Sequence, residues 1–195
     1  AARLKKEDMD PVPHIVARRT GSAAILDDFL TRLVGEAGVT RVLCVAGDID
    51  TPEGEFESAL QILERGFIEK HGITQIGVAG HPEGHKQISE DALTDAVIRK
   101  NAYAQKTGAD VRLVTQFSFV AEPVIAWDKA ITPINKLPIY IGLPGLAKVS
   151  TLLKYALEVA MENDLPAATH RAYFNLADLA ALPDRYEESC GYIEQ

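Results

Sequence analysis

The stretch Ile76-Gly77-Val78-Ala79-Gly80-His81-Pro82-Glu83-Gly84-His85 decides how this chain is read. Ile76, Val78 and Ala79 make an apolar, β-prone run of the kind a covered strand needs, and the run breaks at Gly80 into two imidazoles, a proline and a carboxylate. Titratable groups therefore emerge where a buried strand surfaces, and strand ends of that kind are where α/β proteins carry their chemistry.

The same grammar recurs on both sides. Upstream, residues 39 to 46 (VTRVLCVA) form a near-continuous apolar strand that ends in Gly47-Asp48-Ile49-Asp50. Between the two strands, Leu60, Ile62, Leu63 and Phe67 stand among charged residues from 57 to 70, which predicts one amphipathic helix closed by Gly72. Earlier still, His14 to Ala17 reads as a first strand followed by turn residues Arg18 to Gly21. Ser22 then opens a helix whose apolar residues at 25, 26, 29, 30, 33 and 34 share one face, and Gly38 stops it. Residues 1 to 10 are a mixed-charge surface lead-in, ended by Pro11 and Pro13.

Downstream, Ser89 caps a helix over 89 to 107 with Glu90 and Asp91 in its first turn and Gly108 behind it. Residues 111 to 119 alternate with period two, which places Gln116 and Ser118 on the face opposite Phe117 and Phe119. A short helix at 122 to 131 and a fifth strand at 137 to 141 follow, the strand ending in Gly142-Leu143-Pro144-Gly145. Ser150 caps a further apolar helix, and another helix is predicted near 170 to 181.

Five strands alternating with helices across short loops demand parallel pairing, as an α/β barrel or an open doubly wound sheet. A Gly-x-Gly-x-x-Gly turn and a Gly-Lys-Ser/Thr phosphate loop are both missing from the sequence, which favours the (β/α)8 TIM-type barrel. Eight such units take about 250 residues, so at 195 residues the barrel is expected to be incomplete in this chain, or some of its strands to lie outside the sequence.

Composition sets the outer bounds. A 47% hydrophobic, 25% charged chain of 195 residues is ordinary globular material, and a single domain over 1–195 is expected. Twenty basic against twenty-eight acidic side chains leave a net charge of −8, which argues against nucleic acid or an anionic membrane as partner. The two cysteines are too differently placed, Cys44 in an apolar run and Cys190 near a polar end, to suggest a disulfide framework. A cytoplasmic protein without signal or membrane segment is expected.

At Pro13-His14, Ala46-Gly47-Asp48, Gly77 to His85, Gly108-Ala109-Asp110, Thr115 to Phe119 and Ile141 to Pro144, the chain resembles the methylenetetrahydrofolate reductase family. The six pieces occur in order across roughly residues 11 to 157. The resemblance implies an α/β barrel with FAD across the carboxyl ends of its strands, NADH or NADPH as hydride donor, a tetrahydrofolate-type substrate and a homo-oligomer. By position, Asp48 resembles the aspartate beside flavin and pterin and is the one catalytic candidate. His14, Gly47, Asp48, His81 and His85 correspond to the cofactor side, and Gln116, Phe119 and Gly142 to the substrate side. Each has an ordinary reading too: Asp48 as a turn residue, Gln116 as a solvent-facing strand residue, the histidines as satisfied surface or core groups.

Departures from the family pattern are specific. The catalytic glutamate of a Phe-Glu-Phe-Phe-Pro-Pro-like segment has no counterpart, His81 replaces a common tyrosine, Val120 an aspartate and Ala46 an arginine. The family's lysine before Gly-Ala-Asp is Ala104 here, with Lys100 and Lys106 displaced. These losses point to a divergent branch in which hydride passes to the folate through flavin or directly from NAD(P)H. A metal-dependent barrel hydrolase is the rival, because His14, His81, His85, Glu83, Asp48 and Asp50 are ligand types at strand ends, although Pro82 keeps His81 and His85 off a helical face. A non-catalytic folate-binding or partner subunit is the third reading.

Overall fold

The computed structural model describes residues 1–85, 88–118 and 120–142. Five strands, β1 (His14–Val16), β2 (Arg41–Val45), β3 (Gln75–Gly80), β4 (Asp110–Phe117) and β5 (Ile139–Gly142), form one sheet in the order β1-β2-β3-β4-β5. Every neighbouring pair is parallel. The connections are α2 (Ala23–Ala37), the pair α3 (Ala59–Glu64) and α4 (Phe67–Lys70), α5 (Glu90–Thr107) and α6 (Ala121–Ile131). A short exposed helix, α1 (Ala2–Lys6), replaces the irregular lead-in expected for the N-terminal ten residues and ends well before Pro11.

The five described strands stand in sequential order in one sheet, paired parallel as an α/β fold requires. A doubly wound sheet reverses its strand order at a switch point, and none of the described strands does. Sequential order with right-handed crossovers lays the helices on one face of the sheet. The burial pattern agrees: Ile15, Val42, Cys44, Ile76, Val78, Val111 and Leu113 alternate into a closed core together with Leu26 and Leu30 of α2 and Ile62 and Leu63 of α3. Each fully buried aliphatic of this set stabilises the fold by about 1.5–3 kcal/mol. The opposite face carries Val16, Leu43, Val45, Ala79 and Val114, all half-buried, with Leu43 and Val114 meeting over Gly77.

The caps read from the sequence at the start of α2 and α5 are in place: Ser22 and Ser89 each accept a backbone N–H three residues on, and Gly38 and Gly108 end these helices in the left-handed region. Ser58, not expected as a cap, does the same for α3. The single helix expected from 57 to 70 is instead two. Arg65-Gly66 interrupts it, with Gly66 left-handed, and the chain restarts at Phe67 so that Ile68 turns into the core. No helix among the described residues is long and apolar enough to cross a membrane. The helices predicted after Ser150 lie outside the described residues.

Candidate active site at the carboxyl edge of the sheet

Because all five strands run the same way, their carboxyl ends share one edge, and the segments carrying Asp48, His81 to His85, Gln116 and Gly142 leave neighbouring strands there. Adjacent strands lie about 4.8 Å apart, so the ends of β2 and β4 are separated by roughly 10 Å across β3.

Asp48 stands on the loop after β2, its side chain 89% exposed, and accepts from Arg19 Nη2 at 3.3 Å. The loop itself is held from below. Arg18, at the end of β1, donates from Nε to the Ile49 carbonyl at 2.8 Å and from Nη2 to the Asp50 carbonyl at 2.5 Å, and its own carbonyl accepts from Glu53 N. Gly47 reaches φ 105°, and a Cβ there would meet Val16 Cγ1 at 2.7 Å, so only glycine lets this turn lie over β1. Asp48 is thus an exposed carboxylate on a fixed loop.

After β3 the chain turns back sharply, Gly84 N donating to the His81 carbonyl at 3.1 Å. The rings of His81 and His85 meet edge to face with centroids 5.6 Å apart. His81 is half-buried and His85 exposed. Burial, then the charge of Lys100 and the neighbouring His85, push the His81 imidazole down to about 4, so it is neutral at pH 7. Ser118, just past β4, donates to Glu83 Oε1 at 2.8 Å and ties this turn to the next strand end.

On β4, Thr115 is buried and Gln116 exposed, so Gln116 lies on the sheet face opposite the core, as the alternation predicts. Gly142 has a packing role that its position in the motif did not reveal. A Cβ there would meet Gln116 C and O and Phe117 N, all at 2.8 Å, where the β4–β5 register shifts. Its N–H donates to Thr115 Oγ1 at 3.0 Å. Phe119 lies outside the described residues.

His14 does not join this group. It opens β1 rather than ending it, in register with Leu43, and lines a cavity of about 250 Å³ between β1 and α2 with Val16, Arg19, Ile25 and Phe29. Among the described residues, no three of the His, Cys, Asp and Glu side chains come together as a metal-holding group, so the ligand types of the hydrolase reading stay dispersed.

Three cations escaped the sequence reading. Arg18 and Arg19 looked like turn residues, and Lys100 looked merely displaced. Its signal was helical spacing, because Val97, Lys100 and Tyr103 occupy one buried face of α5. Lys100 Nζ donates to the Ala79 carbonyl at 2.7 Å, and burial lowers the ammonium to about 8.

These commitments bear on the FAD that the resemblance implies. A flavin ring would find a carboxylate, an amide and a neutral imidazole on this edge. Its diphosphate needs unspent cations, and Arg18, Arg19 and Lys100 are engaged by backbone carbonyls, by Asp48 and Glu53, and by Ala79 respectively. Among the described residues, the engagement of these three cations does not suit a resident dinucleotide. No family model matches the chain.

Proposed function

We propose that this chain is a barrel-type reductase of one-carbon folate chemistry, similar to methylenetetrahydrofolate reductases, which passes hydride directly from NADH or NADPH to the methylene carbon of a tetrahydrofolate. The observation that carries the reading is the convergence of Asp48, His81 and Gln116 on three successive parallel strand ends. The sheet's unreversed strand order supports the barrel reading, and (β/α)8 enzymes work at this face. In this reading Gln116 pairs with the pterin edge through its donor and acceptor, Asp48 accepts from the pterin N–H groups, and His81 borders the ring as an uncharged imidazole. A nicotinamide donor that comes and goes need place only its ring here, and its diphosphate can remain in water. A resident FAD cannot be left so, which favours the direct route.

Visible absorbance of the purified protein and NAD(P)H oxidation with and without methylenetetrahydrofolate test this together. A colourless protein that oxidises NAD(P)H only when the folate is present is the expected result. A flavin band would overturn the direct route. Folate binding without turnover would instead make the chain a binding subunit.

A further inference from the structure

We propose that Arg18 is a positioning residue of this site: its guanidinium ties three carbonyls of the β2–α3 loop to the end of β1 and so fixes where Asp48 stands, without touching what Asp48 meets. The role of Asp48 toward a folate rests on the reading proposed above; the hold of Arg18 on the loop does not.

The hold is made by main chain and side chain together. Arg18 lies half-buried in the single turn Ala17–Arg19 that follows β1. Its N–H donates to the Ala46 carbonyl at 2.8 Å, and its own carbonyl accepts from Glu53 N at 2.8 Å, so residues 46 to 53 close into a loop standing on β1. The side chain takes the same loop from a second direction. Nε donates to Ile49 O at 2.8 Å, Nη2 to Asp50 O at 2.5 Å and Nη1 to Glu57 O at 3.4 Å. Two of these three acceptors follow Asp48 immediately, so the peptide that carries its carboxylate is pinned on one side. A planar guanidinium donates from three nitrogens in fixed directions, which an ammonium donating from one point cannot copy. The fit around the turn is close as well. A Cβ on Gly54 would collide with the carbonyl oxygens of Thr20 and Gly21, and one on Gly47 would meet Val16 Cγ1 at 2.7 Å, so the loop packs directly on the β1 turn. Arg19 bridges Asp48 and Glu53 from outside at 3.3 and 3.6 Å, but these pairs are exposed and contribute little. The place of Asp48 therefore depends on Arg18. Misplacing a substrate-holding group by about 1 Å costs on the order of 100-fold in rate, so a residue that touches no substrate can still set what Asp48 contributes.

Amide hydrogen exchange and a double-mutant cycle test the proposal together. In the wild type the Glu53 amide should exchange about tenfold or more slower than an open-loop amide, and an unprotected Glu53 overturns the proposal with no variant at all. In Arg18→Lys, which keeps the charge and loses the fork, exchange at Glu53 should quicken about tenfold while the core amides of Val42, Cys44 and Ile76 keep their protection. An unmoved Glu53 overturns the proposal. So does loosening of the core amides or failure of the variant to fold, either of which would make Arg18 a residue of the fold alone. For folate turnover, Arg18→Lys should lower kcat/KM about tenfold in the wild type and by less than about twofold in Asp48→Asn, because a residue acting through Asp48 then has nothing left to place. Equal losses in the two backgrounds overturn its role toward Asp48. Turnover absent from the wild type sinks the reductase reading and leaves the Glu53 exchange to judge the hold of Arg18 on the loop.

Discussion

Asp48 and Gln116 separate stability from function at the scale of single residues. Asp48 is almost fully exposed and its side chain pairs with the exposed Arg19, a surface pair worth about 0–1 kcal/mol. Gln116 is exposed on a strand whose neighbours Val111, Leu113 and Thr115 carry the packing. Asp48→Asn and Gln116→Ala should therefore each shift the unfolding free energy by less than about 1 kcal/mol while lowering kcat/KM for the folate roughly tenfold to hundredfold. Kinetics unchanged in both would remove them from the site. The sequence made these two residues visible because each is a polar group directly beside an apolar strand run. It did not make the hold of Lys100 on the end of β3 visible, because that hydrogen bond to Ala79 depends on how α5 lies on β3, across twenty-one positions in the chain.

Elements were legible where one local rule sufficed. Serine caps, left-handed glycine stops and the period-two run over β4 all appear within a residue or two of their expected places. One local signal was overridden: Gly66 cut the expected helix at 57 to 70. Gly142, which the resemblance gives to the substrate side, is also a point where two backbones touch. That contact yields a prediction for the pair β4–β5. In Gly142→Ala the new methyl lies within 2.8 Å of Gln116 and Phe117 main-chain atoms, and the backbone cannot yield as a side-chain tip can. Urea unfolding should show a loss of about 1–3 kcal/mol. Activity should fall further than the stability loss explains, because shifting β5 displaces the Gln116 carbonyl. An unaltered midpoint would show that β5 moves aside freely and that glycine is not needed there for packing.

At the scale of the whole molecule, strand order is what composition and periodicity could not supply. Alternating strands and helices permit a barrel and a doubly wound sheet alike; the choice lies in whether each crossover returns to the same side of the preceding strand, a non-local outcome of packing. Among the described strands β1 and β5 are the edges, each with one neighbour, while β2, β3 and β4 are paired on both sides. The edges also differ in cover. Ile15 of β1 is buried against α2, whereas Tyr140 and Ile141 of β5 are exposed. Native-state hydrogen exchange should accordingly be slowest at Val42, Cys44, Ile76, Val78 and Leu113, faster in β1 and fastest in β5, since amides at an unpaired, uncovered edge open without unfolding the core. Protection in β1 equal to that in β3 would mean that a further strand lies against it, whether by closure of the ring or by a second copy of the chain. Measuring exchange across a range of protein concentrations separates those two cases, because only pairing between copies weakens on dilution.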